Sequence, residues 1–256
     1  MTDSPAVLTE RRERIFVITI NRPDQRNAIN AAVAHGIAAA MDELDSDGEL
    51  SLGVLTGAGK GFCAGMDLKA FVAGESSYVG DRGFAGITER AADKPLIAAI
   101  EGFAVAGGLE VALACDLVVA ARGARLGIPE VKRSLVAAGG GLLRLPRVLP
   151  RNIAMELALT GDPIDAERGF ELGFVNRLTE PGAALESALE LAAAIAVNAP
   201  LALAASKRIL NESLEWPSSE YFARQSEIVG PVMASEDARE GATAFAERRP
   251  PVWRGR

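Results

Sequence analysis

Short apolar runs, alternating or rich in β-branched residues, recur through the first two-thirds of the chain. Residues 15–21 (IFVITIN) form the first of these runs, which ends at the Arg22-Pro23-Asp24 turn and predicts a strand. Further strands are predicted at 50–56, 94–100, 117–120 and 126–131. Helical spacing predicts a helix at 30–44 with Asn30 as its N-cap, and a second one at 109–114 after a turn at 102–108. Strands that alternate with helices indicate an α/β layered core.

Two stretches depart from this alternation. Residues 71–86 are rich in glycine and show little periodicity, which predicts a mobile loop. From residue 153 onward the pattern is mostly helical, with interruptions at Pro163, Pro181, Pro200 and Pro217. The last 60 or so residues are therefore expected to form a helical appendage to the core.

Composition and charge exclude several classes of protein. The 256 residues carry 27 basic and 34 acidic side chains, and a net charge of -7 argues against a general nucleic-acid binder. The two cysteines, Cys63 and Cys115, and the single His35 are too few for a disulfide framework, a four-thiolate zinc site or a multi-histidine metal centre. The first 14 residues lack the apolar region of a signal peptide, and residues 191–206 fall short of a membrane span. We therefore expect no metal, no membrane segment and a cytoplasmic location.

Glycine-rich turns are the first candidates for chemistry. The run at 57–61 is not a phosphate-binding P-loop, because Gly61-Phe62 follows Lys60 where a Ser or Thr is needed. Residues 102–108 also lack the spacing of a dinucleotide fingerprint. In contrast, the turn at 61–68 and the helix start at 106–110 each present unpaired backbone N–H groups. Two such groups that converge on one point form an oxyanion hole, which stabilises a carbonyl oxygen as it gains charge.

Two glutamates stand near these turns. Glu110 falls in the first turn of the predicted helix, and Glu130 follows Pro129 at the end of an extended segment. A pair of carboxylates can divide acid and base catalysis when their surroundings move their pKa values apart. Alternatively, the helix dipole alone favours Glu110, and Glu130 is a surface charge beside Lys132 and Arg133.

Taken together, these segments resemble the crotonase (enoyl-CoA hydratase/isomerase) superfamily over nearly the whole chain. The resemblance rests on NRP at 21–23, NA at 27–28, FCAGMDL at 62–68, KP at 94–95, GGLE at 107–110, CD at 115–116, PE at 129–130, GGG at 139–141, TG at 160–161, GFVN at 173–176 and FAERR at 245–249. It implies an α/β, crotonase-like spiral of ββα units with a C-terminal helical trimerisation region. Residues 1–197 would form the spiral core and 198–256 the oligomerisation region of a homotrimer or a dimer of trimers.

The resemblance also implies roles for particular residues. The backbone N–H groups of Met66 and Gly107 would bind the carbonyl oxygen of an acyl-CoA thioester. Glu110 would chiefly activate water and Glu130 would deliver a proton. No cofactor is implied, since CoA is part of the substrate. The residues implied in CoA binding are Arg26, Ala28, Ala64, Asp67, Leu68, Lys69, Phe245 and Arg248, the last from a neighbouring subunit.

These features predict an enoyl-CoA hydratase that adds water syn across the C2=C3 bond of a 2-enoyl-CoA. Residues 83–89 and 251–256 are similar to carnitinyl-CoA dehydratases, and Ala137-Ala138 replaces the Pro-Gly of many hydratases in the loop bordering the acyl pocket. An enoyl-CoA isomerase, a carnitinyl-CoA dehydratase and a CoA-binding protein without turnover therefore remain alternatives. Acyl chain length, pathway and the choice between trimer and hexamer stay open.

Overall fold

A computed structural model describes residues 4–256, and the buried apolar runs form strands at the predicted places. In chain order the strands are β1 (Val7–Arg12), β2 (Ile15–Ile20), β3 (Leu52–Gly57), β4 (Tyr78–Val79), β5 (Gly83–Phe84), β6 (Leu96–Ile100), β7 (Phe103–Val105), β8 (Leu117–Ala121), β9 (Arg125–Gly127), β10 (Ile164–Asp165) and β11 (Arg177–Thr179). The helices are α1 (Ala31–Ser46), α2 (Leu68–Val72), α3 (Gly107–Leu113), α4 (Gly141–Val148), α5 (Arg151–Thr160), α6 (Ala166–Glu171), α7 (Ala184–Ala196), α8 (Pro200–Glu212), α9 (Tyr221–Met233) and α10 (Glu236–Glu247).

The main sheet has six strands in the order β1-β2-β3-β6-β8-β11, and only the pairing of β1 with β2 is antiparallel. Its central strands are apolar at nearly every position because helices cover both faces. On one face Val17 and Val54 pack against Ala188 and Ala192 of α7. On the other face the core includes Met41 of α1. The predicted helix at 30–44 is confirmed, since the Asn30 side chain accepts a hydrogen bond from the Val33 N–H at 3.1 Å.

A second sheet, with the strand order β10-β9-β7, brings two chain segments to the same edge. Strands β7 and β9 run parallel and pair Val105 with Gly127. Helix α3 begins two residues after β7, and a 3₁₀ turn at Pro129–Arg133 follows β9. The prediction of a turn over 102–108 is therefore wrong at 103–105, which form β7. The prediction of a strand over 126–131 is wrong from residue 129 onward, where the 3₁₀ turn begins. This arrangement places Glu110 and Glu130 on neighbouring elements.

The segment 71–86, predicted as a mobile loop, has a defined structure. It contains the end of α2, the short antiparallel pair β4–β5, and a buried turn in which Phe84 is 3% and Ala85 0% exposed. Gly86 is needed for close packing, because a Cβ there would lie 2.4 Å from the carbonyl oxygen of Ala34 in α1. One of the glycines that suggested mobility, Gly86, instead permits this segment to pack against α1.

Helices α8, α9 and α10 form the C-terminal region. Lys207 of α8 fixes them to the core, because its Nζ donates to the carbonyls of Ala92 at 2.7 Å and Lys94 at 2.9 Å and contacts Asp116 at 2.7 Å. Among residues 4–256 no single helix is long and apolar enough to cross a membrane. Helix α7 and residues 200–215 reach that length and hydropathy only as a pair bent by 108°. Large apolar side chains in this region face solvent, among them Leu210, Phe222, Met233 and Phe245.

Candidate active site

The first side of the site is the backbone around Met66. Ile29 and Met66 form a parallel bridge in which the Ile29 N–H donates to the Gly65 carbonyl and the Asp67 N–H donates to the Ile29 carbonyl, each at 2.8 Å. In a parallel bridge these flanking groups make the pairing, so the N–H of Met66 faces the opposite side. That N–H has no hydrogen-bond acceptor within the described part of the chain. It is therefore available to a ligand.

The second side is the N-terminus of α3. Ala106 precedes the helix with φ 52° and ψ -132°, a conformation that costs about 1–3 kcal/mol for a residue with a Cβ. The Gly107 N–H, the first of the helix, likewise has no acceptor among residues 4–256. A Cβ on Gly65 would lie 2.8 Å from the Gly107 nitrogen, so the two segments touch. Two free N–H groups thus lie at adjoining positions, as an oxyanion hole requires.

Glu110 lies one turn into α3 and is 4% exposed. Its Oε1 accepts a hydrogen bond from the N–H of Gly141 at 2.9 Å, which fixes the carboxylate. Burial raises the pKa of Glu110, while the N–H groups of Gly141 and Gly139 and the charge of Arg144 oppose that rise. The carboxylate is therefore buried but supplied with donors that favour its ionised form.

Glu130 stands in a different environment. It lies in the 3₁₀ turn after β9, and its Oε2 is buried with no hydrogen-bond partner among the described residues. Burial raises the pKa of Glu130 to about 7, with a smaller upward contribution from the charge of Glu110; its own N–H and Arg133 act in the opposite direction. At neutral pH this carboxyl group is consequently able both to hold and to release a proton.

A cavity of about 420 Å³ joins these groups. Of the residues predicted from the sequence, it brings together Met66, Gly107, Glu110, Glu130, Arg26, Ala64 and Leu68. The Ala64 N–H donates to the Arg26 carbonyl at 3.1 Å, and the Ala64 carbonyl accepts no hydrogen bond within residues 4–256. The Arg26 guanidinium lies over the Phe103 ring, 4.9 Å from its centroid. Ala64 and Arg26 are therefore adjacent in the wall of the cavity.

Five predicted residues do not line this cavity: Ala28, Asp67, Lys69, Phe245 and Arg248. The Asp67 carboxylate accepts from the N–H groups of Lys69 and Ala70 at the start of α2, and it pairs with Arg22 at 3.0 Å. Arg22 also donates to the Ala28 carbonyl at 2.6 Å. Asp67 and Ala28 thus hold the segment that carries Met66.

The other three of these residues lie on the surface. Lys69 is exposed on α2. Phe245 of α10 is 86% exposed, and Arg248 follows the same helix as its C-cap with φ 55°. Neither α10 residue approaches the cavity of its own chain.

Several lining residues are not predicted from the sequence: Phe71, Tyr78, Phe84, Arg133, Leu135 and Val136. The Tyr78 and Phe84 rings meet edge to face with centroids 5.6 Å apart, in the segment that the sequence predicts to be a loop. Ala138 lines the cavity and Ala137 is buried, so the replaced Pro-Gly pair does border the pocket. No group of three His, Cys, Asp or Glu side chains in residues 4–256 is arranged to hold a metal.

Comparison with known proteins agrees with this geometry. The family profile described as enoyl-CoA hydratase/isomerase matches residues 10–256. The enoyl-CoA hydratase EchA19 of Mycobacterium tuberculosis is 42% identical, covering 98% of this chain and 97% of its own. The carnitinyl-CoA dehydratase of Salmonella typhi is 43% identical, and the match covers 96% of this chain and 97% of the dehydratase.

A solved structure extends the likeness to three dimensions. The crystal structure of enoyl-CoA hydratase EchA1 from Mycobacterium marinum has a TM-score of 0.97 and 60% identity, covering 99% of this chain and 100% of its own. The chain therefore belongs to the enoyl-CoA hydratase/isomerase family and has the crotonase fold, as its motifs predict.

Proposed function

We propose that this protein is an enoyl-CoA hydratase, a carbon–oxygen lyase that adds water across the C2=C3 bond of a 2-enoyl-CoA thioester. One observation carries the proposal: two carboxylates in unlike environments, Glu110 and Glu130, line the same cavity as the free N–H groups of Met66 and Gly107. Hydration needs a base for the water, an acid for C2 and a site for negative charge on the thioester oxygen. The cavity contains a candidate for each.

In this mechanism the thioester oxygen accepts hydrogen bonds from the N–H groups of Met66 and Gly107. Glu110 takes a proton from water as the water oxygen bonds to C3, and the C2=C3 electron pair moves to form an enolate on the thioester. Glu130 then donates its proton to C2, and the carbonyl re-forms. Such donors are typically worth 10²–10³ in rate each because they are fixed before charge develops.

The environments of the two carboxylates support this division of roles. Backbone donors at Gly139 and Gly141 oppose the rise in the pKa of Glu110 and so favour the base form. The unpartnered Oε2 of Glu130, with a pKa of about 7, suits an acid that must be protonated near neutrality. Microscopic reversibility lets the same groups remove water from a 3-hydroxyacyl-CoA.

Two related activities use the same cavity. An isomerase needs only one carboxylate, which moves a proton from one carbon to another. A carnitinyl-CoA dehydratase needs both carboxylates, and its substrate carries a cationic acyl group. A CoA-binding protein without turnover is disfavoured because burying the Glu110 carboxylate and one oxygen of Glu130 is costly and contributes nothing to CoA binding. The presence of a second, buried carboxylate favours hydration over isomerisation alone.

For CoA binding we propose that the free Ala64 carbonyl accepts from the adenine amino group, with Arg26 near the phosphates. Lys69 would contribute from α2. Phe245 and Arg248 would contribute from a second copy of the chain, which is consistent with their distance from their own cavity. The solvent-facing apolar side chains of α8 to α10 support assembly as a homotrimer or a dimer of trimers. Light scattering coupled to size exclusion tests this, and an active monomer at micromolar concentration would disprove it.

Crotonyl-CoA hydration, followed by the loss of absorbance of the conjugated thioester, tests the activity. Glu110→Gln and Glu130→Gln keep the side-chain shape and remove the charge, and each should lower kcat about 10²–10⁴-fold with folding intact. Glu101→Gln is a matched control, because that carboxylate accepts hydrogen bonds from Gly182 and Ala184, away from the cavity. Near-full hydration by Glu110→Gln would contradict the hydratase assignment. Loss of hydration with retained double-bond migration would identify an isomerase instead.

A further inference from the structure

Arg133 shares the face of a short helical turn with Glu130. The turn Pro129–Arg133 is a 3₁₀ helix, in which side chains three residues apart are eclipsed. Glu130 and Arg133 accordingly both line the cavity. The intervening Lys132 points elsewhere and forms an ion pair with Asp162. Arg133 therefore lines the cavity while remaining exposed to solvent, whereas Lys132 forms its ion pair outside the cavity.

Two arginines, Arg26 and Arg133, line the cavity in different surroundings. Arg26 lies beside Ala64 and stacks over Phe103, at the end proposed for CoA. Arg133 lies beside Glu130 at the reacting end, and its charge acts on the carboxyl group of that residue. Neither arginine pairs with a carboxylate among residues 4–256. The guanidinium of Arg133 is thus available to a charged substituent on the acyl group.

The other side chains that line the cavity do not offset the charge of Arg133. Tyr78, Phe84, Leu135 and Val136 supply aromatic and aliphatic surface. Glu110 and Glu130 are the two acidic side chains that line the cavity within the described residues, and both are assigned to the reaction. A cationic acyl group would therefore meet the positive charge of Arg133 without a further carboxylate to balance it. Rejection by an unfavourable charge is a common source of specificity.

We propose that Arg133 determines specificity for the charge of the acyl group. It favours thioesters that carry a carboxylate at the far end of the acyl chain, the monothioesters of dicarboxylic acids, over uncharged ones, and it disfavours those that carry a quaternary ammonium group. This inference rests on the proposed function, because it assumes that the acyl group occupies this cavity.

Binding of saturated acyl-CoA thioesters tests the inference without turnover. Isothermal titration would give Kd for the CoA thioesters of glutaric acid, butyric acid and 4-(trimethylammonio)butyric acid, which differ in charge at the far end. An exposed charge pair changes an equilibrium by up to about fivefold, and the anionic and cationic ligands experience opposite signs. We therefore expect Arg133→Gln to change each of these two Kd values about threefold, in opposite directions, and so to reduce the preference for the anionic over the cationic thioester about tenfold.

Two further variants separate charge from structure. Arg133→Lys keeps a positive charge and should retain most of the preference. Lys132→Gln removes the same charge from the adjacent residue of the same turn, outside the cavity, and should leave all three Kd values unchanged. If Arg133→Gln leaves the ratio of anionic to cationic Kd unchanged, or if the wild type binds the cationic thioester at least as tightly, the inference is overturned.

The inference and the proposed function fail in different ways. Hydration assays with the corresponding 2-unsaturated thioesters report on function, and absence of turnover with all three overturns the hydratase proposal. In that case a Kd ratio that still responds to Arg133→Gln supports the selection of charge by binding alone. If turnover occurs but the ratio of anionic to cationic Kd does not respond to Arg133→Gln, the hydratase proposal is supported and the role of Arg133 is refuted.

Discussion

Replacement of Gly107 by valine should remove most of the activity and leave the fold intact. A Cβ at this position would lie 2.6 Å from the Cε1 and Cζ atoms of the Phe84 ring. Ordinary contacts of this kind are about 3.5–4.0 Å, and the Phe84 ring is itself buried, so we expect the helix start to move by about 1 Å. An oxyanion donor acts at 2.7–3.1 Å, and a displacement of 1 Å takes the Gly107 N–H out of that range. The expected loss in kcat is about 10²–10³-fold, or about 2.7–4 kcal/mol of transition-state stabilisation.

The assay is crotonyl-CoA hydration at saturating substrate, with circular dichroism and thermal unfolding to confirm the fold. Gly48→Val is the matched control, because a Cβ at Gly48 meets nothing within 4 Å and the residue lies outside the cavity. The double variant Gly107→Val with Phe84→Ala removes the ring that causes the clash and should recover part of kcat. A folded Gly107→Val enzyme with wild-type kcat would refute the assignment of this N–H to the oxyanion hole.

Because Glu130 must be protonated to act as the acid, kcat/KM for hydration should fall above about pH 7. In the Glu130→Gln variant, whose side chain does not titrate, this decrease of kcat/KM with pH should be absent. The folded-state pKa of Glu130 exceeds its unfolded value, so its contribution to stability is complete below about pH 4.5 and lost towards pH 7, as thermal unfolding against pH would show. Lys207→Met should lower the free energy of unfolding, measured in urea, by about 2 kcal/mol, and adding Asp116→Asn should restore part of that loss. An unchanged urea midpoint in Lys207→Met would contradict the anchoring role of Lys207.

The sequence predicts the central strands well because their environment leaves a clear pattern. Strands β2, β3, β6 and β8 are buried between helices on both faces, so almost every position is apolar. Strand β1 is not predicted, since its residues VLTERR lie at the sheet edge and are mostly exposed. Strand β7 has only three residues between glycine-containing turns, too few to show a period. Burial on both faces, rather than strand formation itself, produces the detectable signal.

Some residues of the candidate site can likewise be predicted from the sequence, and others cannot. Glu110 and Glu130 can be predicted because each follows a turn signal at the end of a predicted element. Tyr78 cannot, because its place in the cavity depends on the packing of residues 71–86 against α1, which no local pattern reports. Arg133 has the sequence signal of a solvated cation, and only the 3₁₀ geometry of its turn directs it to the cavity.

The hydrogen bond from Gly141 to Glu110 also has a consequence for how acyl specificity can change. It joins the carboxylate that we propose as the base to the far end of the loop 135–141, at the residue where α4 begins. Leu135, Val136 and Ala138 lie upstream of that attachment and line the cavity. Substitutions at these three positions can reshape the acyl pocket while the carboxylate keeps its donor and its orientation. We therefore expect substitutions in this loop to redirect the enzyme towards other acyl groups, since the three side chains that line the cavity precede the glycines whose N–H groups stabilise Glu110.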